Sequence, residues 1–159
     1  MPSLIEQGVC TFQIENWEKF FADVQPIFPL HWAELALDQD AVKLGIDNER
    51  YLQMQAAGML HILTMRSAGE LVGYYIAFVL PHTHYKDAGL MAFTDIYFVL
   101  PEFRKGPTGM ALFIEAERTL KERGVKKAYL SCKVHMDHSK LFEALGWTFT
   151  DKSFTKYIG

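Results

Sequence analysis

Two clusters in the chain combine residue types and spacing suited to moving protons. His82, His84 and Tyr85 sit together in PHTHY, and an imidazole changes charge near neutral pH without help from its surroundings. Asp95 lies in TDIYF, inside an otherwise apolar run, where burial raises a carboxyl toward the range of a general base. A third stretch offers backbone chemistry. In FVLPEFRKGPTGMALFIEAERTLKERG, Phe98 to Gly124, an apolar run passes through Pro101 into Arg104, Lys105, Gly106, Pro107, Thr108 and Gly109, then into a long amphipathic pattern. A helix that starts directly after a strand points its unpaired first-turn N–H groups and the positive end of its dipole at the loop, which suits an anion such as phosphate. Gly106 and Gly109 permit positive φ and close backbone approach, Pro107 suits a first helical position, and Arg104 adds a cationic fork.

The histidines also support a rival chemistry. His82 and His84 on one segment, with His135, Asp137 and His138 on another, have a spacing that permits Zn²⁺ or Fe²⁺ ligation in a hydrolase or oxygenase. That reading leaves the loop unexplained, and Cys10 and Cys132 extend the ligand set in no recognisable pattern; the favoured reading assigns no metal. Two nucleotide motifs do not fit the loop. A Walker loop ends in Gly-Lys-Ser/Thr where this one runs Gly109-Met110-Ala111, and a Rossmann fingerprint belongs after the first strand of a parallel unit.

The elements that must hold these residues follow from periodicity. VCTFQIE alternates as a short strand, Asn16 caps a helix carrying Trp17, Phe20, Phe21 and Val24, and LHWAELAL continues as helix after Pro29. DNERYLQMQAAG reads as a short helix capped by Asp47 or Asn48 and closed by Gly58. The period then changes. MLHILTMRS and LVGYYIAFVL flank a tight turn as a hairpin, the polar PHTHYKDAG connects to a third strand LMAFTDIYFVL, and the loop and long helix follow. KKAYLSCKV is a further strand, SKLFEAL a short helix with Asp137 or Ser139 as its cap, and WTFTDKSFTKYI a last hairpin. With no repeat or linker, residues 1–159 are expected to form one mixed α/β or α+β domain.

The totals agree. A chain of 159 residues buries roughly two thirds of its unfolded surface, half of its residues are apolar, and 14% are aromatic. A net charge of −3 disfavours general nucleic-acid or anionic-membrane binding. No apolar run reaches the ~20 residues of a membrane span. With no secretory leader recognised, the two cysteines are expected to be reduced, in a cytoplasmic compartment.

At the loop the chain resembles the GNAT superfamily of N-acetyltransferases. VLPEFRKGPTGMALFIEAE is similar to that family's acyl-CoA loop, a strand and proline followed by Arg/Gln-x-x-Gly-x-Gly/Ala opening a helix, and LFEALGW is similar to its Leu-Tyr-x-x-x-Gly-Phe run. The resemblance covers roughly Met59 to the C-terminus. It implies a GNAT-like α/β fold, a central, mostly antiparallel twisted sheet with helices on both faces, whose fourth and fifth core strands splay. It implies acetyl-CoA as co-substrate and a primary amine, on a small molecule or a protein, as acceptor. Arg104 falls on the Arg/Gln position and Gly109 on the second glycine. The diphosphate is expected on Lys105, Gly106, Thr108 and Gly109, and the pantetheine arm along the strand edge at Tyr97, Phe98 and Val99. Asp95, or a His82/His84 relay beside Tyr85, is the expected base. The His-x-His-Tyr turn followed by a strand acid also resembles GNAT proteins of phage and prophage origin.

Two positions depart from the family pattern. Pro107 replaces the first glycine and removes one N–H donor. Phe142 stands where many members carry a tyrosine that protonates the departing thiolate, leaving Tyr97, Tyr129 or Tyr157 as other donors, a thiolate that leaves unaided, or a silent acyl-CoA-binding module. The acceptor pocket is expected around Phe28, His31, Trp32, Tyr51 and the PHTHY turn, and an exposed last strand near Phe154 to Ile158 suggests a homodimer.

Overall fold

The computed structural model describes residues 9–159; the first eight residues of the expected domain lie outside the described residues. Strand β1 (Thr11–Ile14) leads into helices α1 (Trp17–Val24), α2 (Phe28–Leu35) and α3 (Asn48–Ala56). Strands β2 (Leu60–Ser67), β3 (Glu70–His82) and β4 (Tyr85–Val99) follow, then α4 (Pro107–Glu122), β5 (Val125–Tyr129) and α5 (Ser139–Ala144). The sheet order is β1-β2-β3-β4-β5. The first four strands are antiparallel neighbours, and β5 lies parallel to β4.

Strand alternation decides what each face buries. Leu63, Met65, Tyr75 and Ala77 pack with Leu112, Ala116 and Leu120 of α4. Their chain neighbours Ile62, Tyr74 and Ile76 pack with Trp17, Phe20, Val24 and Phe28 of α1 and α2. The fold is therefore the mixed α/β arrangement that the resemblance implies, a mostly antiparallel sheet covered on both sides. Each fully buried Leu, Ile or Phe in these layers stabilises it by roughly 1.5–3 kcal/mol.

Local chemistry sets the helix ends. Asn16 accepts from the Lys19 amide at 2.9 Å and Asp47 from the Arg50 amide at 3.0 Å, so Asp47 rather than Asn48 caps α3. Trp17, fully buried, stacks on Tyr51 at 4.0 Å and donates its indole N–H to Asn48 at 2.7 Å. Arg66 is buried as well, and it is paired with both oxygens of Glu15 at 2.8 Å, with Asp23 at 2.6 Å and with the Gly69 carbonyl.

Three expectations are corrected. The PHTHYKDAG stretch is a tight turn rather than an open connection: His82 pairs with Tyr85, and the ladder then skips residues 86–89 before Pro81 meets Leu90. Strand KKAYLSCKV ends at Tyr129, because β4 diverges there and residues 130–133 have no strand partner among the described residues. The final hairpin does not form. Residues 147–159 contain no strand, and Phe149, Phe154 and Ile158 stand exposed. No Gly, Asn or Pro lies between Trp147 and Ile158 to make the positive-φ turn a tight hairpin needs.

Candidate functional site

The site begins where two strands part. β4 and β5 pair from Leu90↔Val125 to Phe93↔Tyr129 and no further. Beyond that vertex, residues 94–99 of β4 present an edge with no strand beside it, and a cleft of about 2300 Å³ runs from this edge past α2 and the first turn of α4. Ile76 pairs with Ile96 but Ala77 with Thr94, so Asp95 is the extra residue of a β-bulge, a device that re-aims one side chain.

The loop closes the other end of that edge. Leu100 still bonds to β3, its amide donating to Val72 at 2.8 Å, and a short 3₁₀ turn (Pro101–Phe103) leads to Arg104. Gly106 adopts φ 66°, Pro107 takes the first helical position, and no side chain caps α4. Its first-turn amides therefore face the cleft side of the loop without a side-chain acceptor. A Cβ added at Gly109 would lie 2.9 Å from the Arg104 carbonyl oxygen, so glycine there lets the loop fold back onto the helix. These features fit the diphosphate of acetyl-CoA, and Pro107 contributes no N–H to it.

Arg104 itself is turned inward. Its Nε donates to the Val99 carbonyl at 2.7 Å and its Nη2 to both oxygens of Glu34 in α2, while the guanidinium lies 5.1 Å over the Phe98 ring. His31 stacks on the same ring at 4.8 Å and meets the Tyr74 hydroxyl at 2.6 Å. Burial lowers the His31 pKa to about 4. Glu34 carries no sequence signal as a site residue, since one acid in LHWAELAL looks like a solvated helix face.

Among the described residues Asp95 has one side-chain hydrogen-bond partner, the Tyr51 hydroxyl, which donates to it in a short hydrogen bond. Burial pushes the Asp95 carboxyl above its ordinary range and the Tyr51 bond acts against that shift. Asp95 also borders a small cavity of about 250 Å³ with Asp47, Arg50, Met54 and Phe78. A half-buried carboxylate with raised affinity for protons, at the rim of an apolar cleft, is chemically a base.

His82, His84 and Tyr85 cluster at the β3–β4 turn, with ring centroids 4.8–6.3 Å apart. His82 packs on Phe93 and Tyr129, the last paired residues before the strands part. Among the described residues no hydrogen bond links this cluster to Asp95. His135 lies elsewhere, its Nε2 3.1 Å from the Glu34 carbonyl. Among the described residues no three His, Cys, Asp or Glu side chains converge on a metal position, so the proposed His82/His84/His135/His138 ligand set is not assembled.

The opposite wall is aromatic. Phe142 is buried against Phe113 at 5.0 Å and Tyr97 at 6.1 Å, and the Tyr97 hydroxyl reaches the Ser131 carbonyl at 2.9 Å. At the start of α5, Asp137 accepts from the Ser139 amide at 2.9 Å and from the Cys132 thiol at 3.6 Å.

The model of the acetyltransferase (GNAT) family matches residues 17–147, and the chain belongs to that family, whose members transfer acetyl groups from acetyl-CoA. No curated protein matches it in sequence. Among solved structures it is similar to a ribosomal-protein-alanine N-acetyltransferase from Brucella melitensis biovar Abortus 2308, with TM-score 0.70 and 18% identity over 95% of this chain and 100% of that one. An aminoglycoside acetyltransferase, HMB0005, from an uncultured soil metagenomic sample aligns with TM-score 0.72 and 12% identity over 95% and 99%. A predicted acetyltransferase with acetyl-CoA from Clostridium acetobutylicum aligns with TM-score 0.68 and 12% identity over 94% and 96%. At such identities the likeness is one of fold. No helix among the described residues is long and apolar enough to cross a membrane.

Proposed function

We propose that the chain transfers the acetyl group of acetyl-CoA to a primary amine by direct attack on the thioester. The parting of β4 from β5 at Phe93–Tyr129, directly before an uncapped helix and with Asp95 bulged at the vertex, carries this reading. The pantetheine arm lies along the free edge at Tyr97, Phe98 and Val99 as an added strand would. The diphosphate sits on the amides of Lys105, Gly106, Thr108 and Gly109, with Arg104 joining once released from Glu34. Asp95 takes the proton that the amine must lose, and main-chain amides at the strand edge polarise the carbonyl. The alternative base is the His82/His84 relay beside Tyr85, which packs near the vertex through His82.

The acceptor enters between α2, α3 and the bulge, where Trp32, Tyr51 and Asp95 line the cleft. The names of the Brucella and soil relatives both specify amine acceptors, in keeping with an anionic base at that point. A calorimetric titration with acetyl-CoA, followed by thiol release over a panel of polyamines, aminoglycosides and peptide N-termini, tests the reading. Binding with 1:1 stoichiometry and release with at least one amine are expected. Absence of binding would overturn it, and binding without release would reduce the chain to an acyl-CoA-binding module.

A further inference from the structure

The function proposed above opens a thioester, and its leaving group poses a problem that the site described so far does not solve. The amine lone pair forms the C–N bond and the C–S bond breaks with its electrons on sulfur. One N–H proton passes to the base, and sulfur finally takes a proton from solvent. Negative charge therefore gathers on sulfur inside a cleft walled by Phe113 and Phe142, and an unpartnered charge in such surroundings is costly.

We infer that the Tyr97 hydroxyl donates the hydrogen bond that receives the departing sulfur. Tyr97 lies on β4 two residues beyond the bulge, on the stretch that has left β5, and its hydroxyl crosses the gap between the strands to the Ser131 carbonyl at 2.9 Å. Its ring stands edge-on to Phe113 at 5.1 Å and to Phe142 at 6.1 Å, with the His138 ring at 6.4 Å, so it carries a hydroxyl into a mainly aromatic wall. A neutral carbonyl is its present acceptor. A thiolate is a stronger one, because hydrogen bonds to ionised acceptors are roughly twice as strong, and the hydroxyl can exchange one for the other by rotation.

Tyr129 and Tyr157 fail on position. The Tyr129 ring stacks on Phe93 at 5.0 Å within the paired ladder, and its hydroxyl points to the Met91 sulfur at 3.8 Å. Tyr157 stands in the exposed C-terminal segment. Ser139 and Cys132 both turn their hydrogens to Asp137, and Phe142 has none to offer. Burial, with Cys132 nearby, pushes the Tyr97 pKa up. It therefore keeps its proton throughout the neutral range and acts as a fixed donor rather than a proton source.

The test needs no acceptor. CoA labelled at the methylene next to sulfur is bound to the protein, and NMR follows thiol ionisation with pH. The bound thiol is expected to ionise at or below the pH of free CoA in the wild type, and about one to two units higher in Tyr97→Phe. Tyr129→Phe should leave it unchanged. A wild-type value well above that of free CoA, no difference in Tyr97→Phe, or a shift in Tyr129→Phe instead would each overturn the inference. Failure of the wild type to bind CoA would sink the proposed function itself, a result distinct from binding with an unmoved thiol.

Discussion

Arg104 and Glu34 form an ion pair in which one guanidinium nitrogen reaches both carboxylate oxygens, at 2.8 and 3.0 Å. It ties the loop before α4 to the last turn of α2. The Glu34 carbonyl meets His135 at 3.1 Å, so one residue of α2 touches both lips of the cleft. The arginine that the sequence offers to a diphosphate is held by a carboxylate.

Glu34→Gln and Arg104→Ala should therefore move acetyl-CoA affinity in opposite directions. Removing the Glu34 charge frees the guanidinium and is expected to tighten binding severalfold. Removing Arg104 should weaken binding by about 1.5–3 kcal/mol if a charged hydrogen bond to phosphate is lost. Calorimetry on both variants decides. Equal affinities across wild type and both variants would make the pair a structural tie and take Arg104 out of the binding site.

Asp95→Asn should depress turnover at least tenfold while acetyl-CoA affinity changes little, since the carboxylate stands on the side of the cleft proposed for the acceptor. A base with a raised pKa makes the rate climb as pH rises through that pKa, above the usual carboxylate range. Tyr51 donates to the ionised form and so lowers that pKa. Tyr51→Phe should then shift the rising limb of the pH–rate profile to higher pH. A limb that stays put, or an Asp95→Asn enzyme at full rate, would remove Asp95 from the role of base.

Much of this was legible in the chain because it rests on local rules. Gly106-Pro107 before an amphipathic run announces the helix start, and the alternation around Ile62–Met65 and Tyr74–Ala77 announces two buried faces. The bulge at Asp95 was not legible, because register is set by which residues of β3 lie opposite, and that information is not in TDIYF. Nor was the Arg104–Glu34 pair, whose partners are 70 positions apart. The last hairpin fails for a related reason: WTFTDKSFTKYI has strand-forming residues but no Gly or Asn for a positive-φ turn, and propensity alone supplies no partner.

Gly109 separates backbone fit from helix propensity. It sits in helical conformation, where alanine is favoured by about 1 kcal/mol, yet a Cβ would press on the Arg104 carbonyl at 2.9 Å. Gly109→Ala should leave thermal stability within about 1 kcal/mol of wild type and weaken acetyl-CoA binding about tenfold, or roughly 1.4 kcal/mol, because the loop must lift from the helix. Undiminished affinity in a normally folded variant would show that the loop holds no diphosphate at this point.

One buried histidine, His61, and one half-buried, His31, should make the fold acid-sensitive well above the range of ordinary carboxylates. His61 is 3% exposed, with Nε2 on the Thr119 hydroxyl at 3.0 Å and Nδ1 facing Arg123 at 3.5 Å. The arginine can only donate, so Nδ1 accepts and the ring is neutral with its hydrogen on Nε2. Burial, reinforced by Arg123, lowers the His61 pKa to about 4, and burial chiefly does the same for His31. In the unfolded chain both titrate near 6.5. Above that pH neither state is protonated and stability is at its full value. As pH falls from about 6.5 to 4 the unfolded chain takes up protons that the native rings refuse, so stability drops, by at most about 3 kcal/mol for each histidine. Urea unfolding at pH 7.5, 6 and 4.5 should show this decline, and His61→Gln should show a shallower one. A wild-type midpoint unchanged between pH 7.5 and 4.5 would mean that the rings accept protons in place, with the Arg123 contact and the His31–Tyr74 bond giving way at no cost.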